Sequence, residues 1–213
     1  MNRNLKKAAV LAGILGFAAL GGTVAYLTDY DQAVNEFTVG KVDIELLEPE
    51  WDPEDHTDIE PGRDIPKDPR ISNTGVNEAF VYLEISVPMA DVAAADQDGS
   101  RLDKKMQELF SFRPGEEWTN LSVTESGSSR VYVYAYNGIL KPGETTEPLF
   151  ESIQFLNIIE GQLDGQTLNV PVRAYGIQTA YTGGDGDTVQ EQAKSAYEKY
   201  VNQNVDQEGR VTV

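Results

Sequence analysis

The stretch AFVYLEISV, residues 79–87, decides the fold class. Its apolar residues at the odd positions alternate with Phe80, Tyr82, Glu84 and Ser86, and a period of two indicates a β-strand with one face in the core. Residues 131–136 alternate in the same way. Residues 168–174 predict a further strand, with 178–181 as a candidate continuation.

Turn signals rich in glycine, proline, asparagine and serine separate these runs, for example at residues 72–75 and 141–144. Residues 37–47 predict one more strand, with Val42, Ile44 and Leu46 facing one way. Many strands, frequent turns and little helix predict a mainly β chain. We expect an antiparallel β-sandwich of jelly-roll type with one or two short helices, preceded by a signal peptide.

Two segments have helical spacing instead. Residues 100–112 carry apolar side chains at steps of four, three and one, which predicts a short amphipathic helix. In residues 188–201, Thr188 stands three before Glu191, as in a capping box, and an apolar stripe follows. We expect this second helix to pack on the sandwich rather than to bind a partner, and the polar tail 202–213 to be loose.

The composition excludes several classes of chemistry. The 213 residues include 35 acidic and 17 basic side chains, a net charge of −18, one histidine and no cysteine. Disulfides, thiolate metal sites and cysteine nucleophiles are therefore excluded. A chain this acidic offers no basic face for nucleic acid, and we predict no catalytic residues.

The first 25 residues have the layout of a secretory signal peptide. They carry three cations and no acid, and residues 8–20 have neither charged nor polar side chains. Small residues favour cleavage after Ala25, which makes Tyr26 the mature N-terminus. An uncleaved membrane anchor is the alternative. Cleavage leaves a mature chain with 14 cations and 35 anions, a net charge of −21.

A few segments are candidates for ligand binding. Residues 48–69 are rich in proline and acid, which predicts a surface loop; calcium binding there is a weaker alternative. His56 lies in that loop and cannot by itself form a zinc site. Residues 96–100 and 183–187 resemble fragments of calcium loops, but a turn and a linker account for them better. The tyrosines at 132, 134 and 136 predict packing more than a sugar-binding platform.

The order of four segments resembles a known family. AYLTDYDQAVNEFTVGKVDIELLEP (25–49), ISNTGVNEAFVYLEISVP (71–88), LKPGETTEPLFESIQF (140–155) and VRAYGIQTAY (172–181) are similar to the TasA and camelysin (CalY) family of Gram-positive bacteria. That resemblance implies export through a dedicated signal peptidase and assembly into extracellular biofilm-matrix fibres. It also implies a jelly-roll sandwich and donor-strand exchange, in which the mature N-terminus of one subunit completes the sheet of the next.

The resemblance places the donor segment at residues 26–36, immediately after the cleavage site. A strand added to an open sheet edge satisfies unpaired backbone groups while its alternate side chains fill grooves. Pairing of 26–36 with its own domain is the alternative. The predicted donor-strand residues are Tyr26, Leu27, Thr28, Asp29, Tyr30, Ala33 and Val34.

These inferences predict a sandwich domain over residues 37–201 in a protein that is secreted to the matrix or cell surface. The expected partners are further copies of the chain, the signal peptidase and other matrix proteins. No cofactor is expected, with calcium left open. Two alternatives remain: a camelysin-like cell-surface metallo-endopeptidase, which one histidine supports poorly, and a monomeric adhesin or calcium-binding domain.

Overall fold

The computed structural model describes residues 42–51, 59–182 and 184–203, and within these ranges it contains ten strands and one helix. The predicted signal peptide, donor segment and most of the tail lie outside the described residues. The elements are β1 Ile44–Leu47, β2 Asp64–Pro66, β3 Arg70–Asn73, β4 Ala79–Val92, β5 Lys105–Glu108, β6 Phe110–Phe112, β7 Trp118–Ser126, β8 Ser129–Tyr136, β9 Ser152–Phe155, β10 Val172–Gln178 and α1 Val189–Gln203.

The larger sheet is antiparallel and has the strand order β10-β4-β8-β7. β4 is its long central strand: its first half pairs with β10 and its middle with β8. The far end of β4 extends past this sheet and pairs with β5, with Val92 opposite Lys105. One strand of 14 residues therefore pairs with three others in succession.

The second layer combines two smaller antiparallel sheets, β1-β3 and β2-β9-β6. Backbone hydrogen bonds connect them: the Thr146 amide donates to the Ile71 carbonyl at 2.9 Å, and the Lys67 amide donates to the Glu151 carbonyl at 3.1 Å. Residues 62–73 and 144–155 thus form one continuous antiparallel pair, with β1 on one side and β6 on the other.

The main core lies between these two layers. Val81, Leu83, Ile85 and Val87 of β4 are fully buried there, against residues such as Ile153 of β9. Burial of one face of each layer supplies the principal stabilising free energy of the sandwich. The prediction of a mainly β, antiparallel fold is confirmed.

The outer face of β4 is also covered, because α1 packs on it. Phe80 and Tyr82 are buried against Ala193 and Ala196, and the Tyr82 hydroxyl donates to the Ala193 carbonyl at 2.7 Å. The small alanines let the helix approach the sheet closely. The predicted C-terminal helix and its packing on the sandwich are confirmed.

The predicted capping box begins this helix. The Glu191 amide donates to the Thr188 hydroxyl at 3.2 Å, and the Glu191 carboxylate accepts from the Thr188 and Asp187 amides. These backbone donors lower the pKa of Glu191 below its usual value. The cap fixes where the chain turns from the β10 side onto the sheet.

The prediction of a helix at residues 100–112 is wrong. This segment is extended: β5 pairs with the end of β4, and β6 pairs with β9. Phe110 is buried, Ser111 is exposed and Phe112 is half-buried, which is the period of two. Neighbouring strand edges supply backbone partners for the whole stretch, and this tertiary pairing overrides the helical spacing.

Two other boundaries also differ from the sequence expectation. The strand predicted from residue 168 begins at Val172, because Pro171 has no N–H to donate to β4. The Pro171 carbonyl still accepts from the Ser86 amide. It ends at Gln178, so of the candidate continuation 178–181 only Gln178 belongs to the strand. The turn predicted at residues 141–144 is confirmed, with Gly143 at a φ angle of 80°.

Candidate assembly surfaces

Every residue predicted for signal cleavage and strand donation, from Ala25 to Val34, lies outside the described residues. His56 does too. The structure therefore bears on the other half of an assembly site, namely the sheet edges that could accept a strand.

The first open edge belongs to β10. In the described part of the chain, backbone hydrogen bonds join β10 to β4 and to nothing on its other side. β1 lies across the core from it: a Cβ built at Gly176 would stand 2.9 Å from Val42 Cγ1 and 3.1 Å from Ile44 Cγ2. The outer edges of both layers, β1 and β10, are thus stacked on the same side of the sandwich.

An apolar cavity of about 370 Å³ opens beside the start of β10. It lies between the layers and has mainly hydrophobic walls. Its aliphatic and aromatic lining includes Trp51, Ile59, Ile65, Leu168, Val170 and Val172. An open edge next to an apolar cavity is the arrangement that strand addition uses, because the edge supplies backbone bonds and the cavity takes side chains.

A buried ion pair stands at the wall of this cavity. Lys67 is 5% exposed, and its Nζ lies 2.6 Å from Glu48 Oε1 and 4.5 Å from the centre of the Trp51 ring. Next to it, Asp68 is 2% exposed and accepts from Arg70 Nη2 at 2.8 Å. These contacts fix the segment leading out of β1 against the second layer.

The prediction that residues 48–69 form a surface loop is therefore wrong for part of the segment. Its end contributes β2, whose Ile65 is buried, and the charges of Lys67 and Asp68 are paired inside rather than solvated. Proline at 66 and 69 is tolerated because no amide is needed at those positions. The Lys67 amide donates to the Glu151 carbonyl, and the Pro69 carbonyl accepts from the Leu149 amide.

The second open edge belongs to β7, and its character is different. β7 pairs with β8 alone among the described residues, and its register shifts between Asn120 and Ser122. Most of its side chains are exposed and polar, with Val123 half-exposed. A register irregularity on an edge strand disfavours regular pairing with another chain, so β7 is the poorer acceptor.

The tyrosines of β8 pack in the core region, as predicted. Phe112 lies edge-on to Tyr132 and Tyr134, at ring-centre distances of 5.5 and 6.1 Å. The Tyr132 hydroxyl donates to Glu108 Oε1 at 2.5 Å. Burial, followed by this hydrogen bond, raises the pKa of Tyr132 to about 12. The rings are therefore structural and neutral near pH 7.

The described residues do not supply a ligand set for a metal ion: no group of three histidine, aspartate or glutamate side chains is placed to hold one. Around Asp96, the carboxylate accepts from the Asp98 and Ser100 amides, which closes a turn with Gly99 at a φ of 78°. The turn interpretation of residues 96–100 is thus confirmed. In the same ranges, no helix is long and apolar enough to cross a bilayer.

Comparison with known proteins gives one match. The family model described as camelysin metallo-endopeptidase matches residues 2–125, more than half of the chain. Neither the curated proteins nor the solved structures give a match.

Proposed function

This chain belongs to the camelysin metallo-endopeptidase family, and from that premise we propose that it is a secreted structural subunit that polymerises into extracellular biofilm-matrix fibres. The proposed chemistry is donor-strand exchange: residues 26–36 of one mature subunit pair with the free edge of β10 in the next. The observation that carries the proposal is the open β10 edge beside the 370 Å³ apolar cavity.

The sequence of the donor segment matches such an acceptor. If residues 26–34 are extended, Tyr26, Tyr30 and Val34 lie on one face, while Asp29 and Asp31 lie on the other. The face with Tyr26, Tyr30 and Val34 is suited to the cavity. The other face, which carries Leu27 and Ala33 beside the two aspartates, is suited to solvent. Backbone bonds to β10 then provide affinity, and the side chains that enter the cavity provide the register.

Removal of the signal peptide acts as the switch in this proposal. Until the chain is cut after Ala25, the donor segment continues directly into the apolar residues 8–20 and is held at the membrane. Afterwards the free segment belongs to a chain of net charge −21, whose copies repel one another at low ionic strength. Salt should therefore accelerate assembly by screening this repulsion.

Disulfide trapping tests which edge accepts the donor. The natural chain has no cysteine, so every cross-link is unambiguous. One secreted variant carries Asp29→Cys in the donor segment, and a second carries Arg173→Cys on β10; they are mixed and oxidised. Adjacent strands bring Cα atoms to roughly 4.4–6.8 Å, within disulfide range. The donor cysteine is also moved to Leu27 and to Asp31, and we expect a cross-linked hetero-dimer chiefly at the one position that the register places opposite Arg173.

The matched control places the acceptor cysteine at Val123 on β7. Absence of Arg173 cross-links over the whole donor scan, or preferential trapping at Val123, contradicts the β10 assignment. If none of the mixtures cross-links and no fibres form, donor-strand exchange itself is wrong.

The family description favours one competing function, a metallo-endopeptidase. The described residues do not fit a metal site, and His56 lies outside them. A cleavage assay with and without chelator separates the two functions. Chelator-sensitive proteolysis that disappears in His56→Ala, with fibre formation unchanged, would support the peptidase.

A further inference from the structure

A cationic, partly apolar loop lies at one end of the domain. We name residues 101–106, sequence RLDKKM, the knuckle. It carries three cations and one acid in a chain of net charge −18, and all six of its residues are exposed. Leu102 is 45% and Met106 59% exposed. Exposed apolar groups beside clustered cations are unusual on so acidic a surface and indicate a contact surface.

The shape of the knuckle is fixed by its neighbours. Arg101 forms an isolated bridge with Ala95, the Asp96 turn closes the loop before it, and Lys105 pairs with Val92 of β4. Lys104 lies 3.2 Å from Asp91, but both side chains are about half-exposed, so solvent screens that pair. Among the described residues, the side chains of Arg101 and Lys105 have no ionic partner.

A groove of complementary character lies on the outer surface of the second layer. Its cavity volume is about 780 Å³, and Phe112, Pro114 and Pro148 contribute apolar walls. One cation, Arg113, also lines it. The acids around it are all exposed: Asp64, Glu116, Glu117, Glu147 and Glu151.

The strand registers place the knuckle and the groove toward opposite ends of the domain. The groove loop 113–117 runs directly into Trp118, which pairs with Tyr136, and the neighbouring Ala135 pairs with Tyr82 near the start of β4. The knuckle is anchored at Val92, ten positions further along the same strand. At about 3.3 Å per residue, roughly 33 Å separates the two anchor points. The groove lining begins at Ser111, five residues after Met106, but Glu116 and Glu117 lie at its far end, beside Trp118 and beyond the reach of Lys104 and Lys105 of the same chain.

We propose that the knuckle of one copy docks in the acidic groove of the next copy. The contact joins two different surfaces at opposite ends, so it is heterologous and propagates head to tail instead of closing into a dimer. Its charges are complementary: the knuckle carries a net +2, and the groove lining, with five acids and Arg113, a net −4. Such charges steer encounter and fix register.

This contact goes beyond donor-strand exchange and is separate from it. It directs two acidic chains toward each other through the cationic knuckle, while the mature chains as a whole repel. Exposed charges should make it sensitive to salt, so moderate ionic strength relieves the general repulsion and high ionic strength removes the specific contact. We therefore expect the assembly rate to have a maximum at intermediate ionic strength.

Zero-length cross-linking tests the contact directly. The secreted mature protein is prepared in ¹⁴N and ¹⁵N forms, mixed and treated with a carbodiimide, which joins a lysine to a carboxylate only when the two touch. We expect mixed-isotope peptides that link Lys104 or Lys105 to Glu116, Glu117 or Glu147. Because of the separation within one chain, each such link must come from two molecules. Absence of these links in assembled protein would overturn the proposal.

Charge reversal provides the quantitative test. Lys104→Glu with Lys105→Glu should raise the protein concentration needed for assembly at least about tenfold, the effect expected for close charge pairs at an interface. Adding Glu116→Lys and Glu117→Lys should restore assembly. The matched control, Lys194→Glu with Lys199→Glu on α1, changes the net charge equally and should have a much smaller effect.

The outcomes separate this proposal from donor-strand exchange. Knuckle-to-groove links without fibres would support the contact and count against strand exchange. Fibres without the links, or with no loss on reversal of the knuckle, would contradict the contact and leave strand exchange standing. Equal loss in the α1 control would assign the effect to net charge and overturn the specific contact.

Discussion

Replacing Lys67 by methionine should destabilise the fold by about 2 kcal/mol, because it leaves Glu48 partly buried without its counter-ion. Removing one member of a fully buried pair typically costs about 3–5 kcal/mol. Glu48 keeps 21% of its side-chain surface exposed, so water compensates part of that loss. Methionine retains the apolar stem of lysine but loses the cation–π contact with Trp51.

The reciprocal change, Glu48→Leu, leaves the Lys67 cation without its counter-ion. Because Lys67 is 5% exposed, this should cost about 2–3 kcal/mol. The double variant removes both charges together, so we expect it to lie within about 1 kcal/mol of the natural protein. The sum of the two single-variant losses in free energy of unfolding should therefore exceed the loss in the double variant by about 3 kcal/mol. That difference is a strong coupling for one contact.

Urea unfolding followed by circular dichroism, at a concentration where the protein is monomeric, measures these four free energies. The exposed pair Lys194–Glu198, 4.0 Å apart on α1, is the control cycle and should couple by no more than about 0.5 kcal/mol. Additive costs at Lys67 and Glu48, or equal coupling in the two cycles, would refute the assignment of a buried, structurally important pair.

Three further predictions concern the sheet and its helix. Tyr82→Phe removes the hydroxyl that donates to the Ala193 carbonyl at 2.7 Å, so calorimetry should show a loss of about 1 kcal/mol and a melting temperature roughly 2–4 °C lower. Gly176→Ala puts a methyl group 2.9 Å from Val42 Cγ1 and 3.1 Å from Ile44 Cγ2 and should cost about 1–3 kcal/mol through overpacking; an unchanged urea midpoint would contradict that close approach. The depressed pKa of Glu191 means that its cap stabilises α1 above the ordinary value of 4.5 and is lost as pH falls through the lower folded value. Glu191→Gln should therefore flatten the acid dependence of helix content measured by circular dichroism, and an unaltered profile would count against the capping interaction.

The sequence was most informative where local pattern and tertiary environment agree. Alternation in residues 79–87 predicted β4, and the Thr188–Glu191 spacing predicted the start of α1. The alternation did not reveal that Phe80 and Tyr82 are buried too, because their cover comes from a helix more than a hundred residues later. Burial on the second face depends on long-range packing, which a period of two cannot encode.

Prediction failed where a strand edge decides the conformation. Residues 100–112 have helical spacing, yet β4 and β9 offer them open backbone groups, and pairing prevails. Likewise, the proline- and acid-rich composition of residues 48–69 favoured a solvated loop, whereas Lys67 and Asp68 find partners inside. The β10 edge, which is unpaired among the described residues, and the cavity beside it have no local sequence signal, because they form only after distant segments have packed.

Electron microscopy of the mature protein, with and without residues 26–35, tests the central claim most directly. The deletion leaves every described strand intact, and we expect it to give a folded, secreted monomer, while the complete mature chain forms fibres. Circular dichroism of the deletion variant verifies that it is folded. Fibres of normal length from the shortened chain would contradict donor-strand exchange by the mature N-terminus.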